Sequence, residues 1–144
     1  MEKTISLNSA LGEFIYDKEY DQYSVDYNDG KQSFEISITV DGVESNDELI
    51  TLLKKVETLV KRKYYESALL EMEEEMINLK NGAWLEDEEP EMTTDEFRKR
   101  ITIKSITFYE DGSSEIFCDD DDIFWGHYIL IGTNENGIFD DVSI

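Results

Sequence analysis

Apolar and polar positions alternate most cleanly in "QSFEISITV" (Gln32 to Val40), where Phe34, Ile36, Ile38 and Val40 point one way and Ser33, Glu35, Ser37 and Thr39 the other. A period of two with one apolar side is a half-buried strand. "QYSVDY" (Gln22 to Tyr27) alternates likewise, and "LGEFIYD" (Leu11 to Asp17) reads as a shorter strand. Asn28 to Gly30 supplies a turn, since Asn, Asp and Gly tolerate positive φ. The expectation is a meander of three strands.

The period changes after "DGVESNDE" (Asp41 to Glu48), where Ser45 and Glu48 stand at capping-box spacing. Leu49, Leu52, Leu53, Val56, Leu59 and Val60 form an apolar helical stripe to about Lys63. Its polar side carries Lys54, Lys55, Lys61, Arg62 and Lys63. A second helical run from Tyr64 to about Lys80 carries Ala68, Leu69, Met72, Met76, Ile77 and Leu79. No glycine or proline parts the runs, so one long helix and two helices with a bend both fit. Gly82 in "NGAW" is the expected left-handed stop. After an acidic loop, Leu85 to Met92, Thr93 and Glu96 mark a short helix ending near Arg100.

Strand character then returns. "ITIKSITFYEDGSSEIFC" (Ile101 to Cys118) reads as a hairpin turning at Asp111-Gly112. His127 to Gly132 is the next strand, Asn136-Gly137 a turn, and Ile138 to Ile144 the last strand. The expected class is α+β, in one domain spanning residues 1–144. N-terminal and C-terminal strands form an antiparallel sheet, a central helical segment covers one face, and the strand order is left open.

Composition narrows the function. Formal net charge is -22, from 35 acidic and 13 basic residues, yet 40% of the chain is hydrophobic, enough for a folded core. So acidic a protein repels nucleic acid phosphates and disfavours anionic membrane surfaces. It attracts a basic protein at a distance, the more so at low salt. One cysteine makes no internal disulfide, and neither a signal-peptide pattern nor a bilayer-length apolar run is present, so a cytoplasmic location is expected. Oligomeric state is left open.

The chemistry-bearing residues gather in "FCDDDDIFWGHYILI" (Phe117 to Ile131), which holds the only cysteine, Cys118, and the only histidine, His127. Asp119, Asp120, Asp121 and Asp122 are hard oxygen ligands of the Ca²⁺ or Mg²⁺ type. Four in a row diverge on a strand, however, and the EF-hand spacing fails, so a solvated acidic turn is the reading. A divalent-cation module at Asp119 to Asp122 is one alternative. Zinc lacks its ligand set. A small enzyme or ligand-binding site around His127, with Cys118 as nucleophile or Asp122 orienting the ring, is the other alternative. Against it, a thiol among carboxylates resists ionisation. The plainer reading has Cys118 buried and His127 bonded to a backbone carbonyl. Phe124 and Trp125 then pack, Gly126 bends the chain, and Trp125 as an exposed anchor is the sharper idea. No glycine-rich phosphate loop is present, and no cofactor or catalytic residue is assigned.

"ITIKSITFYEDGSSEIF" followed by "DDDDIFWGHYILI" resembles an uncharacterised bacterial domain-of-unknown-function family with an acidic loop, a Phe-Trp-Gly-His stretch (Phe124 to His127) and an apolar strand at its C-terminal end. "LGEFIYDKEYDQYSVDY" and "NGAW" look similar to that family too. The resemblance implies no catalytic residues. Small acidic α+β proteins of this kind are also similar to immunity proteins that neutralise bacterial toxins, an analogy that implies docking onto a basic partner. The leading expectation is a non-enzymatic protein-binding domain for a basic protein partner. Its candidate binding residues are Asp119, Asp120, Asp121, Asp122, Trp125 and His127, with Glu71 to Glu75 and Glu86 to Glu91 as further acidic surface.

Overall fold

The computed structural model describes residues 3–144. Four strands come first: β1 (Ser6–Ser9), β2 (Gly12–Asp17), β3 (Gln22–Asn28) and β4 (Ser33–Thr39). Three helices follow: α1 (Asn46–Lys61), α2 (Tyr64–Ala83) and α3 (Thr94–Arg100). Four strands close the chain: β5 (Thr102–Phe108), β6 (Ser114–Asp119), β7 (Ile129–Thr133) and β8 (Phe139–Ser143). All eight lie in one sheet in chain order.

Every pairing but one is antiparallel. β4 and β5 run parallel at the centre, with Glu35 opposite Ser105 and Ile38 opposite Phe108. This corrects the expectation of a wholly antiparallel sheet. The reason is the connection: the three helices carry the chain back to the end of the sheet from which β4 started, and a strand entered from there lies parallel. The sheet is also larger than the meander expected. Ser6–Ser9 pairs with β2 although "SLNS" carries no alternation, so the partner strand selects its conformation.

The buried side of the sheet is the apolar side of that alternation. Phe14, Tyr23, Ile36, Ile38, Ile106, Ile116 and Ile131 are sealed in one cluster with Leu49 and Val56 of α1 and Tyr65, Ala68 and Met72 of α2. Tyr64 and Tyr65 reach the sheet through rings 5.8 Å from Phe108 and 5.2 Å from Phe34. Each such buried side chain contributes about 1.5–3 kcal/mol relative to its exposed state. Ser45 caps α1 by accepting the Glu48 N–H at 3.2 Å, and Thr93 caps α3 from Glu96 at 3.3 Å.

The helical segment is two helices and not one. Lys63 sits at φ 55, in the left-handed region, and turns the chain between α1 and α2 without glycine or proline. Gly82 is not the stop; it lies inside α2, which runs to Ala83 with Trp84 as its C-cap. The Lys80 ammonium donates to the Trp84 carbonyl at 2.8 Å, satisfying a group that the helix end leaves open. His127 and Tyr128 precede β7 and do not belong to it.

Candidate functional site

The loop between β6 and β7 is organised by one carboxylate. Asp120 is buried and accepts the backbone N–H of Phe124 at 2.8 Å, of Gly126 at 3.2 Å and of Asp122 at 3.2 Å. Asp119 accepts the Asp121 N–H at 3.2 Å. The Asp121 carboxylate is held by Arg100 Nε at 2.9 Å, and the same guanidinium donates to the Asp121 carbonyl. Asp122 stays exposed. The four aspartates therefore do four different things, and the solvated acidic turn is a correction at Asp120. Among the described residues, no group of three or more His, Cys, Asp or Glu side chains is placed to hold a metal ion. The cation alternative therefore finds no ligand set at Asp119 to Asp122.

Backbone handedness decides where the aromatic side chains go. Asp121 (φ 47), Asp122 (φ 61), Trp125 (φ 57) and Gly126 (φ 89) are all left-handed. Asp and Gly enter that region readily; a bulky Trp does so rarely. Ile123 and Phe124 are driven into the core, and Trp125 is turned out with 55% of its surface exposed. Phe124 thus packs where the chain re-enters the sheet, as expected, whereas Trp125, expected to supply apolar area beside it, is half exposed. Trp125 leans on Trp84 with ring centroids 4.8 Å apart, while Phe124 meets the same Trp84 from within at 5.7 Å. The His127 ring lies edge-on to Trp84 at 5.4 Å, exposed, where a backbone-carbonyl partner was expected. Tyr128, half exposed, rests on Phe117 at 5.7 Å.

The base of this aromatic knuckle was not legible in the sequence. Lys80 is almost fully buried, and its ammonium joins the Trp84 carbonyl to Glu89 at 3.0 Å. The N–H of Glu86 and the Lys80 ammonium hold the Glu89 carboxyl below its usual range. A lysine in a last helical turn, followed by an acidic loop, is the one signal that points to such a clamp.

Cys118 faces the core between Ile103 and Ile129, and burial pushes its thiol up to about 12. A sealed, neutral thiol is not a nucleophile, so the structure does not pair it with His127 for catalysis. Glu73, counted among the acidic surface, is buried and gripped by Arg98 at 2.6 and 3.0 Å. Glu71, Glu74 and Glu75 are exposed, as are Glu86, Asp87, Glu88 and Glu91.

No helix among the described residues is long and apolar enough to cross a membrane. Residues 8–144 match the family described as "Uncharacterized protein conserved in bacteria (DUF2262)". No curated protein and no solved structure matches the chain. With nearly the whole chain matched, the protein belongs to that bacterial family.

Proposed function

We propose that this member of the family is a non-enzymatic, cytoplasmic protein-binding domain for a basic protein, with the β6–β7 loop as its anchor. The observation that carries the reading is Trp125, a half-exposed tryptophan held in left-handed backbone and braced on Trp84. Such a conformation costs on the order of 1 kcal/mol, and it spends that energy on displaying an apolar ring to solvent. Exposed, rigid tryptophans of this kind are what interface hot spots are made of. His127 and Tyr128 extend the aromatic surface, and Asp119 and Asp122 supply negative charge at its edge. Lysine or arginine stems cover aromatic faces well, and their charged heads suit the carboxylates. Net charge of -22 speeds the encounter with a basic partner. A toxin as that partner, with this chain as its inhibitor, is the specific form suggested by the immunity-protein analogy.

The test is capture from lysate of the native cell by the immobilised chain, compared with Trp125→Ala and Asp122→Asn, with low-salt and high-salt washes. The expected result is a basic protein retained at low salt, released at high salt, and lost or strongly reduced on Trp125→Ala. Equal retention by the tryptophan variant would remove the knuckle from the interface.

A further inference from the structure

The helices cover one face of the sheet and leave the other open. Alternate residues on the paired strands build that open face. One row runs Ile15, Ser24, Ser37, Thr107, Glu115, Gly132, Asp141 through successive pairings. A neighbouring row includes Asp26, Glu35, Ser105, Phe117 and Leu130. The middle of the face is therefore small and hydroxylated, and its charges are carboxylates. Lys104, in the bulge of β5, is the only cation any of the eight strands contributes.

The face has relief as well as charge. One hollow of about 510 Å³ is bounded by Asp17, Lys18, Gln22, Ser24 and Glu35. Another of about 500 Å³ is bounded by Tyr109, Glu115, Gly132 and Asp141. Their floors are small for identifiable reasons. Ser24 and Ser37 hydroxyls bond each other at 3.0 Å. Gly132 has no side chain, and a Cβ there would meet the Asp141 carboxylate at 2.3 Å. Glu35 accepts the Ser37 hydroxyl through one oxygen, and Glu115 accepts the Tyr109 hydroxyl through one oxygen. An apolar strip of Phe117 and Leu130 continues through Tyr128 toward the Trp125 knuckle.

We infer that this open face is the larger part of the same interface, and that it takes an arginine- or lysine-bearing segment of the partner protein laid across the strands. This rests on the protein-binding reading above. Two features identify the occupant. The carboxylates Glu35, Glu115 and Asp141, with Asp26 beside them, outnumber the cations that the strands and hollows of this face contribute, Lys18 and Lys104. The apolar strip between these carboxylates and the knuckle suits the aliphatic stems of the segment's basic side chains. A nucleic acid is excluded by its own phosphates. A second copy packed face to face would set carboxylates against carboxylates. Lys54 and Lys61 on α1, with Arg62 as its C-cap, form an exposed basic group in the opposite layer, away from these carboxylates, which helps to orient an approaching basic partner.

The probe is a short amidated peptide alternating arginine and leucine. Its affinity is read by fluorescence anisotropy and its position by backbone amide shifts. Glu35→Gln/Glu115→Gln/Asp141→Asn is compared with a charge-matched helical control, Glu71→Gln/Glu74→Gln/Glu75→Gln. All six are near-isosteric surface changes, and a melting curve verifies that each variant folds. Neutralising three partly exposed contacts is expected to weaken binding by about tenfold, against at most about twofold for the control. Shifts should centre on Ser24, Ser37, Glu115 and Gly132. Equal weakening in both variants, shifts centred on α2, or no binding would each overturn the inference. So would concentration-dependent self-association of the wild type, in analytical ultracentrifugation, that the sheet-face variant abolishes; α1 of another copy would then be the occupant. Loss on Trp125→Ala alone leaves the knuckle and removes the face, whereas loss on the sheet-face variant alone leaves the face and removes the knuckle.

Discussion

Replacing Asp120 with Asn separates a buried organising carboxylate from an acidic surface. One Asp120 oxygen accepts the Phe124 and Gly126 N–H groups, and the other accepts that of Asp122. Asparagine can keep an oxygen toward the first two and must then present its NH₂ to the third. Hydrogen bonds to a charged acceptor contribute about 1.5–3 kcal/mol, roughly twice the value for a neutral one. Weakening two bonds and setting one donor against another costs about 2–3 kcal/mol in all. The change also relieves repulsion from Asp119, Asp121 and Asp122. Asp121 and Asp122 are exposed and Asp119 only partly buried, so water and physiological salt screen this repulsion to about a few tenths of a kcal/mol for each neighbour. The bonds win, and the net loss is about 1.5–2 kcal/mol, or a Tm lower by about 4–8 °C for a chain of this size. Asp122→Asn is the matched control. Asp122 is exposed, and its left-handed φ of 61 suits Asn as well as Asp, so its Tm should hold or rise slightly. Thermal and urea unfolding at neutral pH measure both. The chain's two tryptophans, Trp84 and Trp125, are both in the knuckle, so native fluorescence reports its loosening directly. A Tm for Asp120→Asn equal to or above wild type would refute the claim that this carboxylate holds the loop.

Two further predictions concern the scaffold. Burial pushes the Asp29 carboxyl up, but the Tyr65 hydroxyl at 2.7 Å and the N–H groups of Lys31 and Gln32 outweigh it and bring it down to about 2. A carboxyl depressed in the folded state stabilises above its ordinary pKa, and that stability is lost as pH falls through about 4 toward 2. Tyr65→Phe should therefore lower stability at pH 7 by about 1–2 kcal/mol and shrink the acid-induced loss; an unchanged pH profile in urea titrations would contradict this. Lys63→Gly should stabilise by about 0.5–1 kcal/mol, because glycine removes the left-handed penalty at φ 55. A lower urea midpoint would show that the lysine stem contributes more than its backbone costs.

Most of the fold was legible because its signals are local. Alternation located β2, β3, β4 and the hairpin of β5 and β6, and the serine and threonine caps located the starts of α1 and α3. What failed depends on distant parts of the chain. "SLNS" is a strand only because Leu7 finds Phe14 opposite. The parallel meeting of β4 and β5 depends on where a three-helix crossover delivers the chain, which no window of residues records. The break at Lys63 carries no glycine or proline because tertiary packing of Tyr64 and Tyr65 against Phe108 and Phe34 holds it.

The sequence locates the site but not which of its side chains face inward, for a physical reason. Strand alternation sorts side chains by parity, and on that rule Asp119 to Asp122 diverge in a regular way. The loop obeys a different rule: four left-handed residues reset the direction of the chain, so parity ceases to say which side chain is inside. Asp120 goes in because three N–H groups need an acceptor there, and Trp125 goes out because its own backbone is left-handed. These two facts are coupled. The Asp120 carboxylate binds the N–H groups on either side of Trp125, those of Phe124 and Gly126, and thereby fixes the strained residue between them. A loop that merely needed to close would relax by placing glycine at position 125 and burying the ring elsewhere. The chain instead holds a buried charge and a strained backbone at one spot, and the visible product of that arrangement is an outward tryptophan beside an uncovered acidic sheet face.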